Sequence, residues 1–332
     1  MKNVKNLIII TLVIPGLLIL LINPGFAQST PINSFHVDGG DKVQSILFSP
    51  DKTMIMIGAR DAILFDLETG AELFQETHPF GGCVYSLAFS DGGKRIAAGG
   101  SHLAVKIWSL ESGDEIYTFH QDMDYSGPTS YTSLIFHPDN ERIFASVGGS
   151  KIAVFDYITK QMDQFSDIGG SSRSMYITPD ETRLISHAII FSLTTGEILY
   201  DFNSGVIHLT PDGTQLFHTN TGIITYYDTN TMEKVKESPL YSRGNVEALL
   251  SPDGMYNIIG KGDSETLPTA LYENASGNEI QTFIPEGNED TPLDRAAFSD
   301  DGKLLALAFG DTVYVYDISD LTSIAKSGEE LN

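Results

Sequence analysis

Leu250-Ser251-Pro252-Asp253-Gly254 recurs, with small variations, seven times along this chain. The other copies are Phe48-Ser49-Pro50-Asp51, Phe89-Ser90-Asp91-Gly92, Phe136-His137-Pro138-Asp139, Ile177-Thr178-Pro179-Asp180, Leu209-Thr210-Pro211-Asp212-Gly213 and Phe298-Ser299-Asp300-Asp301-Gly302. Counted between the Ser, Thr or His positions, successive copies stand 41, 47, 41, 32, 41 and 48 residues apart. Each reads as a hairpin turn. An apolar strand ends, proline presets φ near −65°, Asp bonds to nearby backbone and Gly accepts positive φ.

On the far side of each turn lies a run rich in Ile, Ala or Leu, as in Met54-Ile55-Met56-Ile57 and Leu304-Leu305-Ala306-Leu307-Ala308. A third apolar run follows and ends on an aromatic: Phe65, Trp108, Phe155, Phe191, Tyr227, Tyr272 or Tyr316. A second turn comes next, as in Glu68-Thr69-Gly70, Glu111-Ser112-Gly113, Thr194-Thr195-Gly196 and Ala275-Ser276-Gly277, and then a fourth strand. The runs are too short for helices, and no sustained 3.6-residue period appears. The 305 residues from Gln28 onward, shared among seven repeats, give about 44 each, within the span of a four-stranded propeller blade. The expected fold is all-β: a seven-bladed β-propeller of four-stranded antiparallel blades over 28–324, followed by a tail at 325–332.

The S-P-D-G turn, the aromatic closing the third strand and the T-G turn after it resemble the WD40-repeat β-propeller family, across essentially all of 32–324. The departures fall on the structural tetrad of that family. Gly-His before the first strand is missing, Trp108 is the only tryptophan, and Asp61 and Asp311 alone suit the aspartate before the third strand. Apolar packing is therefore expected to hold the blades together. The resemblance is to a divergent, exported, bacterial-type member.

Blade seven lacks a fourth strand of its own after Val313-Tyr314-Val315-Tyr316, while Ile32-Asn33-Ser34-Phe35-His36-Val37 precedes blade one and resembles Ile116-Tyr117-Thr118-Phe119-His120. The amino-terminal strand is expected to complete blade seven and hide two sheet edges. Residues 1–27 are set apart. Lys2 and Lys5 precede an apolar Leu7 to Ile22, and Gly25 and Ala27 suit a signal-peptidase site. A cleaved signal peptide is expected, giving a periplasmic or secreted protein. The alternative is a membrane anchor over 7–27, whose 21 residues reach across a bilayer. The apolar stretch is not followed by the cysteine of a lipoprotein.

There are 20 Lys+Arg against 44 Asp+Glu, a formal charge of −24. Such a surface excludes wrapping nucleic acid or docking on anionic lipid. The one cysteine, Cys83, excludes an internal disulfide or a CxxC metal site, and its apolar neighbours suggest a core position.

In such a blade the first-to-second and third-to-fourth turns share one face, and both kinds are short here. Extra length falls on the opposite face, around the channel mouth, at Gln121 to Ser130, Glu237 to Gly244, Lys261 to Pro268 and Pro285 to Pro292. Surplus loop on a rigid scaffold is where binding residues concentrate. The candidate binding residues are Asp122, Asp124, Tyr125, Tyr131, Tyr241, Arg243, Asp263, Glu265, Glu286, Glu289 and Asp290. They suit a basic or polar protein partner, with tyrosines available for cation–π contacts. The competing reading is an acidic face that only keeps the protein soluble. A monomer without cofactor or metal is expected. Asp122-Met123-Asp124 and Asn288-Glu289-Asp290 fall short of a calcium loop, the eight histidines show no HxH or HExxH spacing, and no GxSxG elbow is present. The leading expectation is a non-catalytic interaction scaffold. The alternative is a lactonase-like propeller hydrolase with a divalent ion at the mouth, for which Glu247, Asp294, Arg295, Arg173 and His208 are the residues able to point there. A quinone-cofactor propeller would need tryptophans to stack its cofactor.

Overall fold

The computed structural model describes residues 10–14, 17–21, 29–77, 81–101, 104–120, 131–147, 151–167, 174–186, 188–241, 249–260, 268–285 and 291–321. Ile10–Ile14 and Leu17–Leu21 pair as a two-stranded sheet of their own. From Asn33 the chain builds seven four-stranded antiparallel sheets. Blade one covers 45–76, blade two 84–120, blade three 131–167, blade four 175–201, blade five 206–239 and blade six 249–283. Blade seven joins 295–317 to Asn33–His36. The expected propeller and its closing strand are both present.

Each Ser/Thr-Pro-Asp turn is held by its own side chains. In blade six the Ser251 hydroxyl donates to Asp253 (2.6 Å) and accepts the Tyr256 amide (3.0 Å), while Asp253 also accepts the Met255 amide (3.1 Å). Thr178, Thr210, Ser49 and Ser299 make the same hydroxyl–carboxylate bond in their blades. His137 substitutes in blade three, its Nδ1 accepting the Asp139 amide (3.1 Å). The left-handed position of the turn is Gly213, Gly254 or Gly302 in three blades and Lys52, Asn140 or Glu181 in three others. Only glycine takes that conformation without steric cost.

The recurring aromatic marks a second local event. At Phe65, Trp108, Phe191, Tyr227 and Tyr272 the pairing of third and fourth strands shifts register. Such bulges bend a strand and raise its twist, so each blade fans outward. The first strands of blades seven, one, two, three and four lie side by side in that order, which makes them the inner ring. Fourth strands face outward.

The apolar core is distributed, with a cluster in every seam between neighbouring blades. Phe35, Val37, Val313 and Val315 of blade seven meet Ile55, Ile57 and Phe65 of blade one. Met56 and Leu64 of blade one meet Leu87 and Trp108 of blade two. Among the described residues the seam of blades five and six is thin, Leu250 and Leu240 meeting Phe217, Ile224 and Tyr226. Apolar packing thus joins neighbouring blades, as expected, and the turn carboxylates add a polar contribution of their own. Cys83 corrects its expectation. It is half-buried and outside the core; it stands just before Val84–Phe89, the first strand of blade two, and its amide donates to Ser101 Oγ (3.2 Å).

Candidate interaction face

The channel-mouth face carries the fourth-to-first and second-to-third connections. Its best-defined part lies over blades seven and one, where the closing strand hands the chain on through 37–44. Arg60, in the second-to-third turn of blade one, grips Asp41 with two nitrogens, Nη2 to Oδ1 at 3.2 Å and Nε to Oδ2 at 3.1 Å. Lys42 Nζ reaches across to Asp294 Oδ1 (2.9 Å), whose second oxygen accepts the Gly310 amide (2.7 Å). Arg295 donates to the Gln44 carbonyl (2.8 Å) and side chain (3.2 Å). Asp61 accepts from Gln75 (3.0 Å), and Asp311 lies 3.4 Å from His36.

Among the described residues, Asp61 and Asp311, matched above to the family's aspartate, tie their turns to fourth strands through Gln75 and His36. Five aspartates (38, 41, 61, 294 and 311) and three cations (Lys42, Arg60 and Arg295) share this rim. Lys42 and Arg60 keep most of their charged ends in solvent, so each exposed pair adds less than about 1 kcal/mol. A polar rim of exposed ion pairs is suited to exchanging these pairs for those of a partner.

Nearer the axis, the Tyr176 hydroxyl of blade four lies 3.2 Å from His208 Nδ1 of blade five. The imidazole stacks on Phe217 with centroids 4.9 Å apart and planes 13° from parallel. Burial lowers the His208 pKa to about 4. Burial also raises Tyr176 to about 12, and the Asp300 charge pushes the same way. Both side chains are neutral near pH 7, and an imidazole with so low a pKa is a poor proton acceptor there.

Most of the candidate binding residues fall outside the described residues: Asp122, Asp124, Tyr125, Arg243, Asp263, Glu265, Glu286, Glu289 and Asp290. Tyr131 opens the first strand of blade three, and only its backbone is described. Tyr241 is placed in full. Its ring packs on Tyr272 with centroids 5.0 Å apart, and its amide donates to Asn274 Oδ1 (3.3 Å). Its carbonyl accepts from Asn257. Of the hydrolase set, Glu247 and Arg173 lie outside the described residues. Asp294 and Arg295 belong to the rim over blades seven and one, and no hydrogen bond or ion pair links His208 to either.

The rim itself was missed from the sequence. Its signals were the cluster Asp38-Gly39-Gly40-Asp41-Lys42 and the aspartates recurring before third strands. Loop length did not single them out, because Lys42 and Asp294 come together only when the ring closes.

Fold and rim together define a ring-shaped repeat protein with a charged rim over blades seven and one. The family model described as WD domain, G-beta repeat matches residues 72–109. That span starts in the fourth strand of blade one and ends with the third of blade two, so a repeat is staggered against a blade. It contains Phe74 and Trp108, which meet edge to face across the seam at 5.5 Å. The guanine nucleotide-binding protein subunit beta of Arabidopsis thaliana is 26% identical over 290 residues, covering 83% of this chain and 68% of its own. Its counterpart from Nicotiana tabacum is 24% identical over 300 residues, with the same coverage. The chain is a seven-bladed β-propeller that is similar to WD-repeat proteins, with the family's repeat matched at residues 72–109.

Proposed function

We propose that the protein is a non-catalytic scaffold that binds a partner protein through the channel-mouth face, and that it works outside the cytoplasmic membrane. The observation that carries the first part is the rim over blades seven and one. There, exposed Lys42 and Arg60 and five aspartates stand on the most heavily bonded seam described, while the turns of the opposite face are short and self-satisfied. The acidic residues of the longer mouth loops, Asp122, Asp124, Asp263, Glu265, Glu286, Glu289 and Asp290, with Tyr125 and Arg243, would extend the same face. The relatives from Arabidopsis thaliana and Nicotiana tabacum carry the name of a subunit, which supports assembly with other proteins as the shared role. The chemistry of the face calls for a partner with basic residues at its contact.

Export rests on Lys2, Lys5, the apolar run and the small residues at Gly25 and Ala27. Amino-terminal sequencing of the natural protein is expected to return Gln28; Met1 or an early residue would instead make the segment an anchor. For binding, the full chain and a variant carrying Asp38→Lys, Asp41→Lys and Asp61→Lys are to be cross-linked in extracts of the source cells. A protein captured by the first and lost by the second is expected. No protein above background, or the same set from both, would overturn the mouth-face reading.

A further inference from the structure

The outer strand of blade four, Ile198–Asp201, differs from the outer strands around it. In blades one, two, six and seven the fourth strand sends an aromatic inward: Phe74, Phe119, Phe283 and Phe35. The fourth strand of blade five is exposed but guarded. Lys234 and Lys236 stand on it, Lys236 lies 4.4 Å over the Tyr226 ring, and Pro239 ends it. Lysine and proline are the devices that keep a sheet edge from pairing with another chain. Blade four keeps an inward aromatic just past the strand, Phe202, but carries no lysine or proline on the strand itself. Ile198, Leu199 and Tyr200 are 51%, 45% and 43% exposed, on both faces of the strand. Ile158 and Met162, on the third-to-fourth turn and fourth strand of blade three, are exposed as well. The strand ends its sheet, bonded to Ile189–Ser192 on one side only.

Charge selects the occupant. Glu197 and Asp201, both exposed, bracket the apolar triplet. A second copy of this chain, paired antiparallel on this edge, would bring its own Glu197 and Asp201 against them, with a formal charge of −24 on each copy. Like charges facing each other across strands are destabilising. A segment whose lysines or arginines flank apolar residues meets the same edge with attraction.

We propose that the outer edge of blade four is a second docking site, which takes an extended, cationic segment of a partner protein by strand addition. Backbone bonds to the free edge would give affinity, and alternate apolar side chains would cover Ile198, Leu199 and Tyr200. The site lies on the outer wall and is independent of the channel mouth.

A displayed library of random twelve-residue peptides, selected on the full chain, tests this. Enriched peptides are expected to alternate apolar residues and to carry net positive charge. Binding of a selected peptide should raise amide protection at 198–202. It should weaken at least tenfold when alternate peptide amides are methylated, and equally in the variant Leu199→Lys, Tyr200→Lys, whose melting temperature is unchanged. The mouth variant with lysines at 38, 41 and 61 should bind that peptide as the wild type does, which separates failure here from failure of the mouth-face reading. No enrichment, peptides insensitive to amide methylation, or protection confined to other segments would overturn the proposal. So would concentration-dependent dimers abolished by Tyr200→Lys, since the occupant would then be a second copy.

Discussion

The seam between blades seven and one and the seam between blades five and six join the same kind of sheet by different means. At the first, Phe35 packs on Phe65 with centroids 5.0 Å apart, within a cluster drawn from both blades. Lys42–Asp294, Arg295–Gln44 and Lys52–Asp301 cross between the blades. At the second, Leu250 is the buried apolar residue that blade six offers to Phe217, Ile224 and Tyr226. The levels differ too. Turns meet turns between blades four and five, with Pro179 beside Gly213, and between blades six and seven, with Pro252 beside Gly302. Between blades five and six, the Asp253 carbonyl in the turn instead accepts from Tyr226, within the third strand of blade five (3.3 Å). Continuous chain crosses both seams; the ring is shut without a covalent link inside blade seven, where Asn33–His36 pairs with Thr312–Val315, and the bonds of the seam beside it hold that closing strand in place.

The largest expected effect comes from removing residues 28–40. This strips the fourth strand from blade seven and takes Phe35 and Val37 out of the 7/1 cluster, and cooperative unfolding should be lost in a thermal melt. A wild-type melt would show that the ring does not depend on that strand. Next, Phe35→Ala and Leu250→Ala compare the seams directly. Loss of a buried Phe costs about 3–5 kcal/mol, while Leu250 should fall at the lower end, about 2 kcal/mol, of the range for Leu→Ala. Urea unfolding measures both, and equal losses would erase the distinction.

A pH series sharpens the same comparison. Burial alone would raise the Asp301 carboxyl, but bonds from Lys52 and Ser299 outweigh it and hold the pKa at about 2, against an ordinary 3.8. The folded value is the lower one. Its contribution, on the order of 2 kcal/mol at most, is therefore complete above about pH 4 and lost as pH falls towards 2. The Asp51, Asp180 and Asp212 carboxyls are lowered as well, chiefly by the Ser or Thr hydroxyl of their own turns. Asp301→Asn should flatten part of the acid limb in urea titrations at pH 7, 4 and 3. An unchanged limb would mean the Lys52 contact contributes nothing. A smaller effect separates Gly277→Ala from Gly113→Ala. Both glycines have positive φ, +70° and +74°, but a Cβ at Gly277 would lie 2.7 Å from the Tyr241 ring and one at Gly113 meets nothing within 4 Å. The first should cost about 1–2 kcal/mol more than the second by overpacking.

The fold was legible because its information is local. Ser, Pro, Asp and Gly at fixed offsets specify a turn whatever surrounds them, and the aromatic at the end of the third strand is where the outer strand shifts register. The closing strand was legible for the same reason, since Ile32 to Val37 has the pattern of a fourth strand with no blade before it. The interaction rim was not. Lys42 and Asp294 are partners made by ring closure, 252 residues apart, and Arg60 meets Asp41 only once blade one folds back on the connection before it. Tyr241 shows the limit of loop reasoning from the other side. It sits in a long connection, yet its ring packs on Tyr272 and beside Gly277, a use that depends on the level at which blade six meets blade five.

Native-state hydrogen exchange, read by peptide mass spectrometry across the whole chain, sets the two seams side by side in one experiment. Protection should be highest in peptides holding Asn33–His36 and Thr312–Asp317, approaching that of global unfolding, and lower in peptides holding Lys234–Pro239 and Leu249–Leu250. Uniform protection around the ring, or faster exchange at Asn33–His36 than at Leu249–Leu250, would contradict a ring locked at blades seven and one.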